Sequence, residues 1–160
     1  MLSNTAEYAL RAMVFLAQSE PGKVMPGRDL SAASGVPAKY LSKILLDLNR
    51  AGMVSAMRGQ GGGYRLSRHA KDIRLIEVVE IFDRERAHPR CLLSFDKECS
   101  DATGCSAHDR WKMVRTAYLN FLDSTSLADI ADTVPSGGTV LNLPAQAGST
   151  SAPASLRGGR

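Results

Sequence analysis

Cysteine is scarce in this chain: three residues in 160, Cys91, Cys99 and Cys105. An odd number cannot close a full disulfide framework, so in a chain of this kind the cysteines point to metal or redox chemistry instead. Long apolar runs are missing too. No stretch approaches the roughly 18 apolar residues that a helix needs to cross a bilayer, so no membrane partner is expected. The opening MLSNTAEYALRAM has neither the basic start nor the apolar centre of a secretory signal, and a cytoplasmic location is expected. Nucleotide-loop chemistry is also absent. The stretch Arg58-Gly-Gln-Gly-Gly-Gly63 is followed by no Gly-Lys-Ser/Thr ending and no helix start, and Tyr64 stands where a dinucleotide fingerprint needs its third glycine. With no nucleophile–base pair and no paired carboxylates at a cleft signal, an enzyme is not expected.

What is present is uneven charge. Residues 1–90 carry 14 Lys and Arg against 9 Asp and Glu, whereas residues 91–135 carry 4 against 7. Residues 23–74 alone hold 10 basic and 3 acidic side chains. A basic segment ahead of an acidic, cysteine-bearing one suggests a part that binds a polyanion and a part that controls it. Residues 135–160 are rich in Gly, Ser, Ala, Pro and Thr and offer little to bury, so that tail is expected to be disordered.

The chain opens with a helix signal. Asn4 is the expected cap, with Glu7 reaching back as a capping-box partner, and Ala6, Ala9, Leu10, Met13, Leu16 and Ala17 follow at helical spacing. Arg28–Ser34 reads as a short helix closed by Gly35, with Val36 as an apolar plug and Pro37 in the first turn of the next helix. There Leu41, Ile44, Leu45 and Leu48 form one stripe, and Gly52 stops it. Helix, tight turn, helix is the helix-turn-helix arrangement. Its second helix turns Lys39, Tyr40, Ser42, Lys43 and Arg50 away from the stripe, towards the groove and phosphates of DNA. Two short strands, Met53–Met57 and Tyr64–Ser67, flank the glycine loop and make a wing. Arg58, Gly59, Gly61 and Arg65 are its candidate DNA contacts, with Arg28 beside them. A further helix is expected over Asp72–Asp83, with Ile73, Ile76, Val79 and Phe82 inward.

The segment Arg90–Trp111 holds all three cysteines and His108, spaced C-x7-C-x5-C-x2-H. Four soft or borderline ligands within eighteen residues, separated by small and polar ones, suit a loop that wraps a metal. Three readings are open on the residues alone: an iron–sulfur cluster, a structural zinc of the Cys3His type, and a metal-free thiol switch using Cys99 and Cys105. A long helix is expected from about Ser106 to Asp123. Its apolar stripe of Trp111, Val114, Tyr118 and Phe121 or Leu122 is read as a homodimer contact, which would suit palindromic double-stranded DNA. A last short helix is expected over Ser126–Asp132.

Four stretches carry a family resemblance: EYALRAM, PAKYLSKILLDLNRAGMVSAMRGQGGGYRL, the three-cysteine loop, and CSAHDRW. With them the chain resembles the bacterial winged-helix iron–sulfur regulators, the family of IscR, NsrR and RirA, over about residues 1–134. The resemblance implies a dimeric transcription regulator that tunes operator binding through a [2Fe-2S] or [4Fe-4S] cluster. By position Cys91, Cys99 and Cys105 would be cluster ligands. The fourth would be His108, as in one branch, or Glu7, which in another branch serves the partner subunit. The fold class expected is mainly α: a winged helix-turn-helix over 1–83, a cluster-binding loop over 84–108, a dimerisation helix and short terminal helix over 109–134, and the tail over 135–160. A regulator that binds a protein partner and no cluster is the remaining alternative.

Overall fold

A computed structural model describes residues 2–20, 22–87, 101 and 104–132. Among the described residues, six α-helices and one hairpin run in the order α1 (Asn4–Ala17), α2 (Gly27–Ser34), α3 (Ala38–Arg50), β1 (Val54–Met57), β2 (Gly63–Leu66), α4 (Leu75–Ala87), α5 (His108–Ser124) and α6 (Leu127–Ala131). The architecture is the mainly helical winged helix-turn-helix expected from the sequence.

Helix α1 is the central post. Ala6, Ala9, Ala12, Met13, Val14, Phe15 and Leu16 are buried along it, and α2, α3, α4 and α6 all pack around it. The expected cap is corrected by one residue. Ser3 is the N-cap, its Oγ accepting from the Ala6 N–H at 3.2 Å. That shift places Glu7 one position past the capping-box site. Its carboxylate instead pairs with Arg11 one turn on, as i,i+4 neighbours do.

The turn between α2 and α3 forms as its residues dictate. Gly35 takes the left-handed backbone (φ 66°) and Val36 is buried behind it. Pro37 is the N-cap of α3, one residue before the expected first turn. Leu41, Ile44, Leu45 and Leu48 are all buried. Burying each such side chain stabilises the fold by about 1.5–3 kcal/mol before entropy is counted.

The wing pairs antiparallel in the register Val54↔Leu66, Ser55↔Arg65, Ala56↔Tyr64, Met57↔Gly63. It does not stand alone. Met25, in the segment before α2, bridges to Tyr64 through two backbone hydrogen bonds of 2.9 and 2.8 Å. The base of the wing is thereby fixed to the start of the helix-turn-helix.

The fourth helix begins later than expected. Ala70–Asp72 is a short 3-10 turn, Ile73 is extended and Arg74 forms an isolated bridge to Ser126. The reason is long-range pairing. The Leu75 N–H donates to Thr125 O (3.0 Å) and the Leu127 N–H to Ile73 O (2.9 Å), so these backbone groups are unavailable to a helix. Of the expected inward residues, Ile73 and Val79 are fully buried, joined by Leu75 and Val78, while Ile76 and Phe82 are half-buried. Helical geometry breaks at Asp83, whose carboxylate accepts from the Ser3 N–H at 2.6 Å. The kink therefore ties the end of α4 to the start of α1. At the other end, α6 is closed by a capping box between Ser126 and Asp129, and Leu122, Leu127 and Ala131 enter the same core as α1.

Glu77 links α4 to the segment that follows β2. It accepts from the Arg74 N–H at 2.8 Å and from Arg68 Nη2 at 2.6 Å. Burial pushes its pKa up, but the hydrogen bonds from Arg74 and Arg68, with the charges of both, outweigh it and hold the carboxyl below its ordinary 4.5. A lowered folded-state value stabilises the fold above the ordinary value, and that stability is lost as pH falls through the folded one. The thermal midpoint should therefore drop on acidification below pH 4.5, and Glu77→Gln should flatten that part of the profile. A variant with the wild-type acid slope would contradict this.

Candidate functional site

Two groups of residues form the candidate site. The first is a basic face. Lys39, Tyr40, Ser42, Lys43 and Arg50 are all exposed on α3, opposite its buried stripe. Arg28 is exposed at the start of α2, Arg58, Gly59 and Gly61 lie at the wing tip, and Arg65 projects from β2. The structure thus places the residues expected to contact DNA, all of them exposed, on the helix-turn-helix and its wing. Their pairing differs. Arg28 lies 3.5 Å from Asp29 and Arg50 3.6 Å from Asp47. Among the described residues Lys39, Lys43, Arg58 and Arg65 have no carboxylate within 4.0 Å. Their charge is not neutralised internally and is available to a polyanion.

Two details bear on recognition. The Ser42 hydroxyl donates to Ala38 O at 2.9 Å, so reading a base would require giving up that bond. The Tyr40 ring leans on Tyr8 of α1 (centroids 6.2 Å apart), and the Arg11 guanidinium lies 5.9 Å from the Tyr8 ring centre. A groove between the end of α1 and β2 adds cations that the sequence did not single out, Lys23 and Arg68 beside Arg65. Only a long-range fold places them there.

The second group is the cysteine site. Cys91 and Cys99 lie outside the described residues, as do 88–100 as a whole and the tail from 133. Cys105 is an exposed free thiol in the turn before α5. The His108 N–H donates to the Cys105 carbonyl at 2.9 Å, which sets the thiol and the imidazole one turn apart. His108 Nε2 lies 2.8 Å from Asp101 Oδ1. Lys112 Nζ bonds both oxygens of the same carboxylate, each at 2.8 Å. The hydrogen bonds from Lys112 and then His108 hold the Asp101 pKa down at about 2. Gly104 makes room for this arrangement, since a Cβ there would come within 2.6 Å of the His108 ring. A thiol and an imidazole of this kind suit a soft metal or a cluster. No group of three or more His, Cys, Asp or Glu close enough to hold a metal ion occurs among the described residues, and two of the cysteines lie outside them. Glu7 is exposed on α1 and engaged by Arg11.

Helix α5 carries apolar side chains on more than one face. Val114 and Phe121 are 58% and 53% exposed, and Met113, not anticipated, is exposed beside them. Trp111 is half-buried. Tyr118 is half-buried, its ring packing against the core of its own chain, and its hydroxyl is buried with no hydrogen-bond partner among the described residues. Burial, with the negative charge of Asp83, pushes that phenol up. Among the described residues, no helix is long and apolar enough to cross a membrane.

Comparison with known proteins places this geometry. Residues 2–133 match the Rrf2 family, described as an iron-dependent transcriptional regulator. An HTH-type transcriptional regulator of Mycobacterium tuberculosis is 37% identical over 130 residues, covering 81% of this chain and 80% of the relative. The HTH-type transcriptional regulator IscR of Vibrio atlanticus is 30% identical over 129 residues, covering 81% of this chain and 73% of that protein. Among solved structures, CymR, the global cysteine regulator of B. subtilis, superposes with a TM-score of 0.72 at 24% identity, covering 84% of this chain and 98% of CymR. At that identity the superposition speaks to the fold alone.

Proposed function

Because the chain belongs to the Rrf2 family of transcriptional regulators, we propose that it is a cytoplasmic homodimer whose operator affinity is tuned by an iron–sulfur cluster. Cys91, Cys99 and Cys105 would supply three ligands, and His108 or Glu7 the fourth. The observation that carries this reading is the order of parts along the chain. An exposed basic helix-turn-helix and wing is followed by a cysteine-bearing segment that begins where α4 ends and finishes where α5 begins.

When bound, the cluster supplies thiolate-held iron with one site under a weaker nitrogen or oxygen donor, open to nitric oxide, oxygen or iron loss. The chain's own residues would carry the response. Helix α4 holds the start of α1 through Asp83 and Ser3, and α5 lies against α4. A change in the order or reach of residues 88–104 would bear on both helices, and so on how two recognition helices are spaced across a dimer. The exposed Met113, Val114 and Phe121 on α5 supply an apolar face for that dimer. A few kcal/mol of difference between two spacings is enough to switch DNA occupancy.

A mobility shift tests the reading, using DNA upstream of the protein's own gene and protein before and after anaerobic loading with iron and sulfide. Binding should weaken steeply as salt rises, and the loaded and unloaded forms should differ in affinity. Equal affinities would remove the control role. No binding by either form would favour a protein partner.

A further inference from the structure

The geometry of α3 points to Leu46 as a specificity-determining residue, one that selects thymine by touching its methyl group in the major groove. The inference rests on the DNA-binding reading above and deepens it by naming a base that the recognition helix selects.

Position on the helix carries it. Lys39, Ser42, Lys43, Leu46 and Arg50 are related by steps of three and four residues, so they form one stripe. At about 100° per residue, Leu46 falls in the middle of that stripe and nearly opposite the buried Leu48. The stripe runs for about 16 Å, enough to lie along a major groove. Leu46 is 48% exposed, and every other member of the stripe is polar or charged. Tyr40, the other large apolar side chain exposed on α3, leans on Tyr8. Leu46 is not packed against the core, so the core does not account for it. Lys39 and Lys43 flank it and favour a polyanion as the occupant; a second copy of this face would set like charges against each other. On the major-groove edge thymine alone offers a methyl group, and an apolar side chain recognises it by excluding water. Cytosine offers an amino group there, and its N–H would meet leucine with no acceptor. Ser42, one turn earlier, has its hydroxyl engaged with Ala38 O at 2.9 Å, whereas Leu46 gives up no bond on docking. In the sequence Leu46 is hidden in the run ILLDL, where it reads as one more core leucine.

Full-length protein and the operator footprinted upstream of its own gene test this. Each thymine of the site is replaced singly by deoxyuridine, which removes the methyl group and keeps the base pair. One position in each half-site should lose about 3- to 10-fold in affinity. Leu46→Ala should bind the unmodified operator more weakly by a similar factor. It should lose its sensitivity to uracil at that position and keep it elsewhere, as coupled partners do in a double-mutant cycle. Its slope of log affinity against log salt should equal that of wild type, because no cation is removed. Leu46→Met, which keeps an apolar side chain, should retain the uracil effect. Circular dichroism should show both variants folded, since the side chain is about half exposed. A wild-type protein indifferent to every uracil, or Leu46→Ala with the wild-type uracil pattern, overturns the inference and leaves DNA binding in place. A wild-type protein with no salt-sensitive binding to that DNA overturns the DNA reading, and this inference with it.

Discussion

Alanine at Gly63 is expected to lower folding stability by about 2–4 kcal/mol and to take operator binding with it. Gly63 opens β2 opposite Met57 and passes directly under the segment before α2. A Cβ there would overlap the carbonyl of Met25, and that backbone cannot yield without breaking the two hydrogen bonds between Met25 and Tyr64. The cost combines overpacking with the loss of paired backbone groups. The consequence for function is geometric, because the Met25 bridge sets the wing at a fixed distance from the helix-turn-helix. Urea unfolding followed by circular dichroism measures the first effect and operator anisotropy the second. Gln60→Ala, at the exposed wing tip, is the control and should stay within about 0.5 kcal/mol of wild type. An unchanged midpoint for Gly63→Ala would mean that the bridge does not hold the wing.

Removing Lys39, Lys43, Arg58 and Arg65 together should produce the largest loss of DNA binding. These four cations are exposed and have no carboxylate partner among the described residues, so their substitution strands no buried or paired group. Folding should be nearly unaffected. Each phosphate left without its cation should reduce the slope of log affinity against log salt by about 0.9, so a variant lacking all four cations should show a much flatter dependence. At low salt the same variant should bind on the order of 1,000-fold more weakly, taking about 1 kcal/mol for each cation. Arg28 and Arg50, each near an aspartate, should contribute less individually. A variant that keeps the wild-type slope would place the DNA elsewhere on the molecule.

Local pattern made much of this protein legible. Leu41, Ile44, Leu45 and Leu48 announce α3 because a buried stripe on an amphipathic helix repeats every three or four residues, and all four are buried. Gly35 and Gly52 marked their turns because both adopt the left-handed backbone. What stayed hidden depends on partners far away in sequence. The Met25 bridge to Tyr64 involves one residue before a proline, with no alternation to reveal it. Ile73 looked helical because nothing local shows that its carbonyl is taken by Leu127. The Asp83–Ser3 bond joins residues 80 apart. The packing of Tyr118 was hidden for another reason: α5 carries apolar residues on more than one face, and spacing alone does not say which face meets its own core. Leu122 proves to be the fully buried one. At the cysteine site, residue type identified the sulfur and imidazole donors, but the carboxylate behind His108 became visible only in three dimensions.

The most direct measurement is anaerobic purification, followed by an absorption spectrum and iron, sulfide and zinc analysis on one sample. A brown protein with iron and acid-labile sulfide near stoichiometric, lost when Cys91, Cys99 or Cys105 is replaced by alanine, is the predicted result. A colourless protein with one zinc per chain would contradict it, as would one that takes up neither iron nor sulfide after reconstitution.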